Sequence, residues 1–193
     1  KICKSVWFMR QAGRYLPEFR EIRSQNKNFI NLCLNSELSS EITLQPIKRY
    51  NLDSAIIFSD ILMVPYALNQ NVEFVKDKGP VLEEFNFKKF LNNDNISFTQ
   101  KLHPIYKAIQ KTREKLDIKK SLIGFIGAPW TLLTYMLGAK ESKKKIDYKK
   151  IKTKESEVNL ILDKLNDYLC THIENQIDAG ADVIQIFDSW AGL

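Results

Sequence analysis

The chain has 193 residues, of which 44% are hydrophobic and 27% are charged, and its formal net charge is +6. This composition is typical of an ordinary soluble globular protein with a real core. No apolar run approaches the roughly 20 residues that a membrane-spanning helix needs. The three cysteines, Cys3, Cys33 and Cys170, are far apart. They indicate neither a disulfide framework nor a cysteine metal site, and we expect a reducing cytoplasm.

The first feature along the chain is an arginine-rich stretch at 8–23, FMRQAGRYLPEFREIR. Its arginines directly follow an apolar run, Val6–Met9, that predicts a buried strand. Guanidinium groups bind carboxylates or phosphates in a bidentate manner and keep their charge at working pH. Arginines at the end of a strand usually face a ligand. Arg10 and Arg14, in a turn around Gly13, therefore predict a pocket for a polyanionic small molecule.

Two short helices are predicted next. Pro17 suits the first turn of a helix that runs to about Arg23. Arg20 and Arg23 share one face of it and are equally consistent with ligand binding and with surface charge. The second helix begins near Ser36, which we expect to be its N-cap, and continues toward Tyr50.

Three later segments have the continuous apolar character of parallel strands that are covered on both faces. Each ends in a polar or aromatic motif: 54–58 in Ser59-Asp60, 121–126 in GAPWTL (127–132), and 182–187 in DSWAG (188–192). Helices are predicted at 98–116, from Pro129, and at 155–179, the last with an apolar stripe that includes Ile177 and with Gly180 as its C-terminal cap. Strand, motif and helix thus alternate four times, which predicts an α/β fold with a parallel sheet. The motifs fall at the carboxyl ends of the strands, where such folds place their sites.

Two segments are less regular. From Val64 to Phe87 we expect a loop excursion with a small hairpin around 71–75 and a turn at 77–80. The lysine-rich run at 140–152 permits nucleic-acid binding. Because it has little aromatic interleaving and no nucleic-acid-binding motif, we expect a solvated loop instead. The absence of GxGxxG and Walker loops lowers the nucleotide-binding interpretation.

The motifs resemble those of the uroporphyrinogen decarboxylase family. FMRQAGRYLPEFR at 8–20 is similar to the signature of that family, and FSDIL (58–62), GAPWTL (127–132) and FDSWAG (187–192) resemble three further segments in the right order. The resemblance implies an enzyme, a carboxy-lyase on a (β/α)8 TIM barrel. It implies removal of carbon dioxide from the four acetate arms of uroporphyrinogen III, giving coproporphyrinogen III in haem biosynthesis, without metal or organic cofactor. It also implies a cytoplasmic homodimer, with no nucleic-acid or membrane partner.

The resemblance implies a set of site residues as well. Asp60 and Arg10 are the expected catalytic residues. Matching the motifs residue by residue, the substrate-binding positions are Arg10, Gln11, Ala12, Arg14, Arg23, Asp60, Tyr135 and Ser189. His103 and His172 match nothing functional, and we expect them to be structural or exposed.

Elementary chemistry supports these roles. Uroporphyrinogen carries eight carboxylates, so several guanidinium groups are needed to compensate their charge as they lose water. Its four pyrrole N–H groups point inward, and a single carboxylate such as Asp60 can accept from them together. That carboxylate can also stabilise a protonated, cationic pyrrole electrostatically. Arg10 is the preferred group for binding the reacting acetate and relaying protons. Which residue donates the proton stays open.

The sequence departs from the family in extent. Four strands are predicted where a barrel needs eight, and barrels typically run to ~250 residues or more. We therefore expect residues 1–193 to be a partial barrel domain that lacks its C-terminal half, including a substrate-binding histidine. Half a barrel leaves sheet edges unpaired, so we expect the piece alone to be poorly stable and inactive.

Two other interpretations remain open. A corrinoid- or methionine-synthase-like methyltransferase on a related barrel would use zinc-binding His and Cys residues, which the scattered cysteines do not favour. A non-catalytic module that binds tetrapyrrole, or nucleic acid through the lysine run, is the alternative of another class. Nucleic-acid binding would weaken steeply with salt.

Overall fold

The computed structural model describes residues 6–75, 78–142, 145–152 and 155–192. Cys3, Asp77 of the expected turn, and Lys143 and Lys144 of the lysine run lie outside these ranges. The helices are α1 (Pro17–Gln25), α2 (Phe29–Cys33), α3 (Ser36–Arg49), α4 (Met63–Ala67), α5 (Phe87–Leu91), α6 (Asn95–Lys115), α7 (Pro129–Met136), α8 (Tyr148–Lys152) and α9 (Glu155–Asp178). The strands are β1 (Ser54–Ile56), β2 (Val72–Val75), β3 (Gly79–Leu82), β4 (Ser121–Gly127), β5 (Lys140–Ser142), β6 (Lys145–Ile146) and β7 (Val183–Phe187).

The central sheet has the spatial order β1-β4-β7. β1 and β4 run parallel, with Ser54 opposite Ser121 and Ile56 opposite Ile123. Helical segments separate these strands along the chain, which confirms the predicted α/β class with a parallel sheet. Two antiparallel hairpins, β2–β3 and β5–β6, lie outside this sheet, and the first of them is the hairpin expected around 71–75.

The buried strand predicted at Val6–Met9 is wrong. This segment has no strand assignment, and all four of its side chains are exposed. Val6 does bond to Asp53: its N–H donates to the Asp53 carboxylate at 2.7 Å, and the Asp53 N–H donates to the Val6 carbonyl at 3.2 Å. The described sheet therefore has three strands where the sequence predicts four, because the Gln11 side chain bonds to the outer edge of β1 in place of a strand.

Several smaller expectations also need correction. The N-cap of α3 is Asn35, whose side-chain oxygen accepts from the Glu37 and Leu38 N–H groups, and Ser36 is already helical. The expected loop from Val64 contains α4, and α2 and α5 escaped prediction because five residues are too few for a periodic pattern. The lysine run forms β5, β6 and α8 where its residues are described, so a plain loop is wrong there.

The long helix α9 spans the predicted residues, and Gly180 follows it with φ +106° in the left-handed region. In the last turns of α9, the buried face differs from the apolar stripe that the sequence predicts. Ile177 is 51% exposed, whereas His172 and Gln176 are buried. A polar pair thus replaces the apolar stripe in the last turns of the helix. No described helix is both long and apolar enough to cross a membrane.

The chain divides into two compact units. Unit 1 comprises 1–60, 103–125 and 173–185, and unit 2 comprises 61–102, 126–172 and 186–193. A core cluster of unit 1 joins α1, α2 and α3 through Leu16, Phe19, Leu32 and Ile42. A core cluster of unit 2 gathers Ala139, Ile146, Ile151 and Trp190. Each unit contains some of the predicted site residues.

Candidate active site

The arginine-rich loop is anchored to β1 by the side chain of Gln11. This side chain is only 3% exposed. Its Nε2 donates to the Ser54 carbonyl at 2.7 Å, and its Oε1 accepts from the Ile56 N–H at 3.2 Å. A residue in a parallel ladder makes the same two bonds, to the carbonyl before its partner and to the N–H after it. The Gln11 carboxamide therefore replaces a strand residue opposite Ala55.

The predicted site residue Arg10 lies beside this anchor, with an exposed side chain. It lines a cleft of about 280 Å³ together with Phe8, Gln11, Tyr15, Tyr50 and Leu52. The Tyr15 hydroxyl donates to the Gln11 carbonyl, and its ring stacks on Tyr50 with centroids 6.4 Å apart. Burial, then the neighbouring Tyr50, raises the pKa of Tyr15, so this hydroxyl stays protonated. The cleft thus combines one cation with aromatic walls.

Of the other arginines, one supports the loop and two are candidates for ligand binding. Arg20 donates to the carbonyl of Arg14 at 2.9 Å, so it supports the loop from α1. Arg14 itself is exposed. Arg23 is half-buried, donates to the Asn26 carbonyl, and its guanidinium carbon lies 5.7 Å from the centre of the Phe29 ring. Arg20 and Arg23 therefore have different surroundings although they lie on one helix.

Asp60 follows β1 by four residues and is half-buried. It lies near enough to the buried thiol of Cys33 to act on its ionisation. The pKa of Cys33 is raised well above its ordinary value, first by burial and then by the negative charge of Asp60, while Arg23 opposes the shift. Asp60 and Arg23 thus both act electrostatically on one buried atom of unit 1. Ala12 packs on the core cluster of the same unit.

Tyr135 belongs to unit 2 and lies in α7. It is half-buried, and its ring meets Trp190 edge-on with centroids 6.2 Å apart. The Lys140 ammonium lies 5.3 Å from the centre of the Tyr135 ring. Tyr135 also lines a cleft of about 630 Å³ whose wall includes Lys140, Lys150 and Glu83. Its surroundings in this unit are therefore polar as well as aromatic.

Ser189 is exposed in the turn after β7. A residue that the sequence analysis missed, Thr131, holds this turn. Its hydroxyl donates to the Asp188 carboxylate at 2.8 Å and accepts from the Trp190 N–H at 3.2 Å. The Ala128 N–H donates to the Phe187 carbonyl at 2.9 Å. Two of the four sequence motifs are therefore joined by hydrogen bonds on both sides of Ser189.

The predicted site residues fall into two groups. Unit 1 carries Arg10, Gln11, Ala12, Arg14, Arg23 and Asp60, and unit 2 carries Tyr135 and Ser189. In the described part of the chain, no three His, Cys, Asp or Glu side chains are grouped to hold a metal ion. The arginines of unit 1 can bind the acidic groups of a ligand, and the Asp60 carboxylate can accept hydrogen bonds from its N–H groups.

The family model for uroporphyrinogen decarboxylase matches residues 4–193. The chain belongs to the uroporphyrinogen decarboxylase family. Among curated relatives, uroporphyrinogen decarboxylase of Rickettsia felis is 46% identical over 97% of this chain and 55% of its own length. That of Orientia tsutsugamushi is 47% identical over the same shares. The chain thus spans about half the length of these relatives.

A solved methyltransferase from Methanosarcina mazei is similar in structure, with a TM-score of 0.67. The similarity covers 87% of this chain and 50% of the methyltransferase at 16% identity. Identity this low shows a shared fold alone. Together with the family match it confirms the predicted fold class. For this uroporphyrinogen decarboxylase family chain, the individual roles of the site residues stay predictions.

Proposed function

We propose that the chain forms part of a uroporphyrinogen decarboxylase, which converts uroporphyrinogen III to coproporphyrinogen III by removing carbon dioxide from four acetate arms. The observation that carries this proposal is the family match over 4–193. The geometry agrees with it, because one compact unit holds the arginine-rich loop and Asp60. Since the chain spans about half of its relatives, the proposal concerns the full-length protein.

Charge compensation is the first task of the site. The substrate carries eight carboxylates, and burying them without cations costs several kcal/mol or more per charge. In the proposal, Arg10 and Arg14 bind substrate carboxylates, since their side chains are exposed to incoming ligand. Arg23 contributes a further contact from its half-buried position. Planar guanidinium groups suit this task, because they bind both oxygens of a carboxylate at once.

Asp60 carries the electronic part of the reaction in this proposal. Its carboxylate accepts hydrogen bonds from the inward-pointing pyrrole N–H groups. A pyrrole ring protonated next to the acetate arm becomes an electron sink. The bond between the acetate methylene and its carboxylate then breaks, carbon dioxide leaves, and the electron pair enters the ring. A fixed anion beside this cationic intermediate lowers the barrier more than water does, since it needs no reorganisation.

Proton transfer completes each cycle. The methylene carbon takes up one proton and becomes a methyl group, and the ring returns the proton that activated it. Each acetate arm therefore consumes one proton and releases one carbon dioxide. In the proposal, Arg10 binds the reacting acetate and relays the proton. The ring of the substrate serves as the electron sink, so the proposed reaction uses no organic cofactor and no metal.

The remaining site residues take supporting roles. The Gln11 side chain is already bonded to Ser54 and Ile56, so Gln11 and Ala12 contact substrate through the main chain of the loop. Tyr135 and Ser189 offer hydroxyl groups from unit 2. We further propose a cytoplasmic homodimer that binds neither nucleic acid nor membrane, as the family resemblance implies.

The test is an assay of the full-length protein with uroporphyrinogen III under reducing conditions. The products are separated by their number of carboxylates. We expect species with seven, six, five and finally four carboxylates, as the acetates are lost one after another. A protein that leaves all eight carboxylates in place overturns the proposed function.

A further inference from the structure

The main chain of Phe58, two residues before Asp60, is held by two hydroxyl groups of α3. The Thr43 Oγ1 accepts from the Phe58 N–H at 2.9 Å, and the Ser39 Oγ donates to the Phe58 carbonyl at 2.7 Å. Ser39 and Thr43 are each 1% exposed. Buried hydroxyls need hydrogen-bond partners, and Phe58, in the segment that leads to Asp60, supplies one to each of these two.

The bonding capacity of this pair is well used. The Thr43 hydroxyl hydrogen goes to the Ser39 carbonyl at 2.7 Å, which leaves an oxygen lone pair for the Phe58 N–H. The Ser39 hydroxyl hydrogen goes to the Phe58 carbonyl. The Phe58 ring is fixed as well, with its centroid 5.7 Å from that of Phe19 and 5.8 Å from that of Phe29. Backbone and side chain of Phe58 are thus both held.

A third side chain acts where β1 parts from β4. Beyond the end of β1, one more ladder bond between them runs from the Ile57 N–H to the Ile123 carbonyl at 3.0 Å. If the parallel ladder continued, Phe125 would bond to the Ile57 carbonyl and the Ser59 N–H. Instead, Gln176 of α9 accepts from the Phe125 N–H at 3.0 Å and donates to its carbonyl at 3.1 Å. Gln176 thereby takes the place of β1 at this point.

We propose that Thr43 and Ser39, assisted by Gln176, are positioning residues for Asp60. The two hydroxyls bind the Phe58 main chain to α3. The Gln176 carboxamide binds the Phe125 main-chain groups of β4 that β1 no longer pairs with. The chain thus leaves the sheet at a fixed position, and this determines where Asp60, two residues after Phe58, lies. This role rests on the proposed function of Asp60, because only a catalytic carboxylate turns a small displacement into a loss of rate.

The decisive variant is Thr43→Val, which keeps the shape of the side chain and removes the hydroxyl. Its matched control is Thr112→Val. Thr112 is fully buried and its hydroxyl donates to the carbonyl four residues earlier, as that of Thr43 does, at the same 2.7 Å. The difference between the two variants therefore isolates the bond to Phe58. Thr43→Ser keeps the hydroxyl and serves as the rescue.

In the full-length enzyme we expect Thr43→Val to lower kcat by ~10-fold or more and to raise KM by a smaller factor, since Asp60 binds the pyrrole N–H groups but acts most strongly on the developing cation. Thr112→Val and Thr43→Ser stay near the parent rate. In an Asp60→Ala background, Thr43→Val has no further effect on kcat. If Thr43 served stability alone, Thr43→Val would lower the free energy of unfolding in both backgrounds. It would then leave kcat and KM of the folded enzyme unchanged.

Amide hydrogen exchange gives a readout that does not depend on catalysis. We expect faster exchange at the Phe58 amide in Thr43→Val than in Thr112→Val. Equal exchange at Phe58 in these two variants overturns the proposed clamp, and equal kcat overturns the positioning role. Full activity in Asp60→Ala overturns the proposed role of Asp60 and this inference with it. Loss of activity in Asp60→Ala with full activity in Thr43→Val overturns the positioning role alone.

Discussion

Gln11 donates a 2.7 Å hydrogen bond from its side-chain nitrogen to the main-chain oxygen of Ser54, at the outer edge of β1. Its side-chain oxygen accepts from the Ile56 N–H in the same two-bond pattern as a neighbouring strand. The loop that carries Arg10 and Arg14 is thereby fixed to the strand that leads to Asp60. Cations and carboxylate of the proposed site share one support.

Replacement of this support should be costly. Gln11→Ala leaves a buried carbonyl and a buried N–H of β1 without partners, and we expect the free energy of unfolding to fall by about 2–4 kcal/mol. Urea titration of the full-length protein measures this change. Gln25→Ala, on the exposed side of α1, is the control and should cost less than about 0.5 kcal/mol. Equal effects of the two variants would show that the Gln11 bonds do not stabilise β1.

The Gln176 carboxamide requires a glycine beneath it. A Cβ on Gly124 would lie 2.5 Å from the Gln176 Oε1 and 2.9 Å from the Ile184 Cδ1. We expect Gly124→Ala to lower the free energy of unfolding by about 1–3 kcal/mol through overpacking. A Cβ at Gly192 meets nothing within 4 Å, so Gly192→Ala is the control.

A double-mutant cycle separates the two contacts of Gly124. In a Gln176→Ala background the closest contact is gone, and Gly124→Ala should cost less than it does in the parent protein. An additive result would mean that Ile184, and not Gln176, requires the glycine.

His172 should make stability depend on pH. Burial lowers the pKa of His172 from 6.5 to about 3, so the folded protein keeps this imidazole neutral while the unfolded chain takes up a proton below pH 6.5. The contribution is fully present above pH 6.5 and is lost as the pH falls toward 3. The slope reaches at most roughly 1.4 kcal/mol per pH unit.

The measurement is urea unfolding at several pH values between 4 and 7, for the parent and for His172→Gln. We expect the variant to be less stable overall, with a shallower loss on acidification. Gln25→Ala, which changes an exposed residue without a titratable group, provides the control and should keep the parent slope. Identical slopes in all three proteins would show that His172 titrates normally in the folded state.

Arg10 should be sensitive to shape as well as charge. Arg10→Ala removes the guanidinium group that binds a substrate carboxylate, and Arg10→Lys keeps the charge but loses the planar, bidentate geometry. We expect kcat/KM for uroporphyrinogen III to fall by ~100-fold or more in Arg10→Ala and by a smaller factor in Arg10→Lys, and steady-state kinetics of the full-length protein measures both. Lys107→Ala, an exposed cation on α6, should leave kcat/KM unchanged. Parent-like kinetics of Arg10→Ala would remove Arg10 from the site.

The sequence predicted the fold class and the long elements well, because periodicity and turn residues carry that information locally. α1, α3 and α9 begin within one residue of where Pro17, Ser36 and Glu155 indicated. The prediction at Val6–Met9 failed because an apolar run does not reveal whether a partner strand exists beside it. There the neighbour of β1 is a side chain, Gln11, and no local pattern indicates such a replacement.

The sequence predicted which residues belong to the candidate site, but not the contacts that hold them in place. Motifs selected Arg10 and Asp60, but a motif does not show what holds them. Ser39, Thr43 and Gln176 act across 19, 15 and 51 residues of chain, and their bonds arise only from packing of α3 and α9. A weak signal was present, since polar residues stand among the apolar residues of both helices. Buried polar side chains in such places commonly satisfy main-chain groups of a neighbouring element.

The central claim is that the Asp60 carboxylate stabilises the cationic pyrrole during loss of the acetate carboxyl groups. Asp60→Asn keeps the size of the side chain and removes the charge. The most direct measurement is the rate of carbon dioxide release from uroporphyrinogen III by full-length Asp60→Asn, beside Asp163→Asn as an exposed control on α9. We predict a loss of ~100-fold or more in Asp60→Asn and the parent rate in Asp163→Asn. A parent rate in Asp60→Asn would contradict the account.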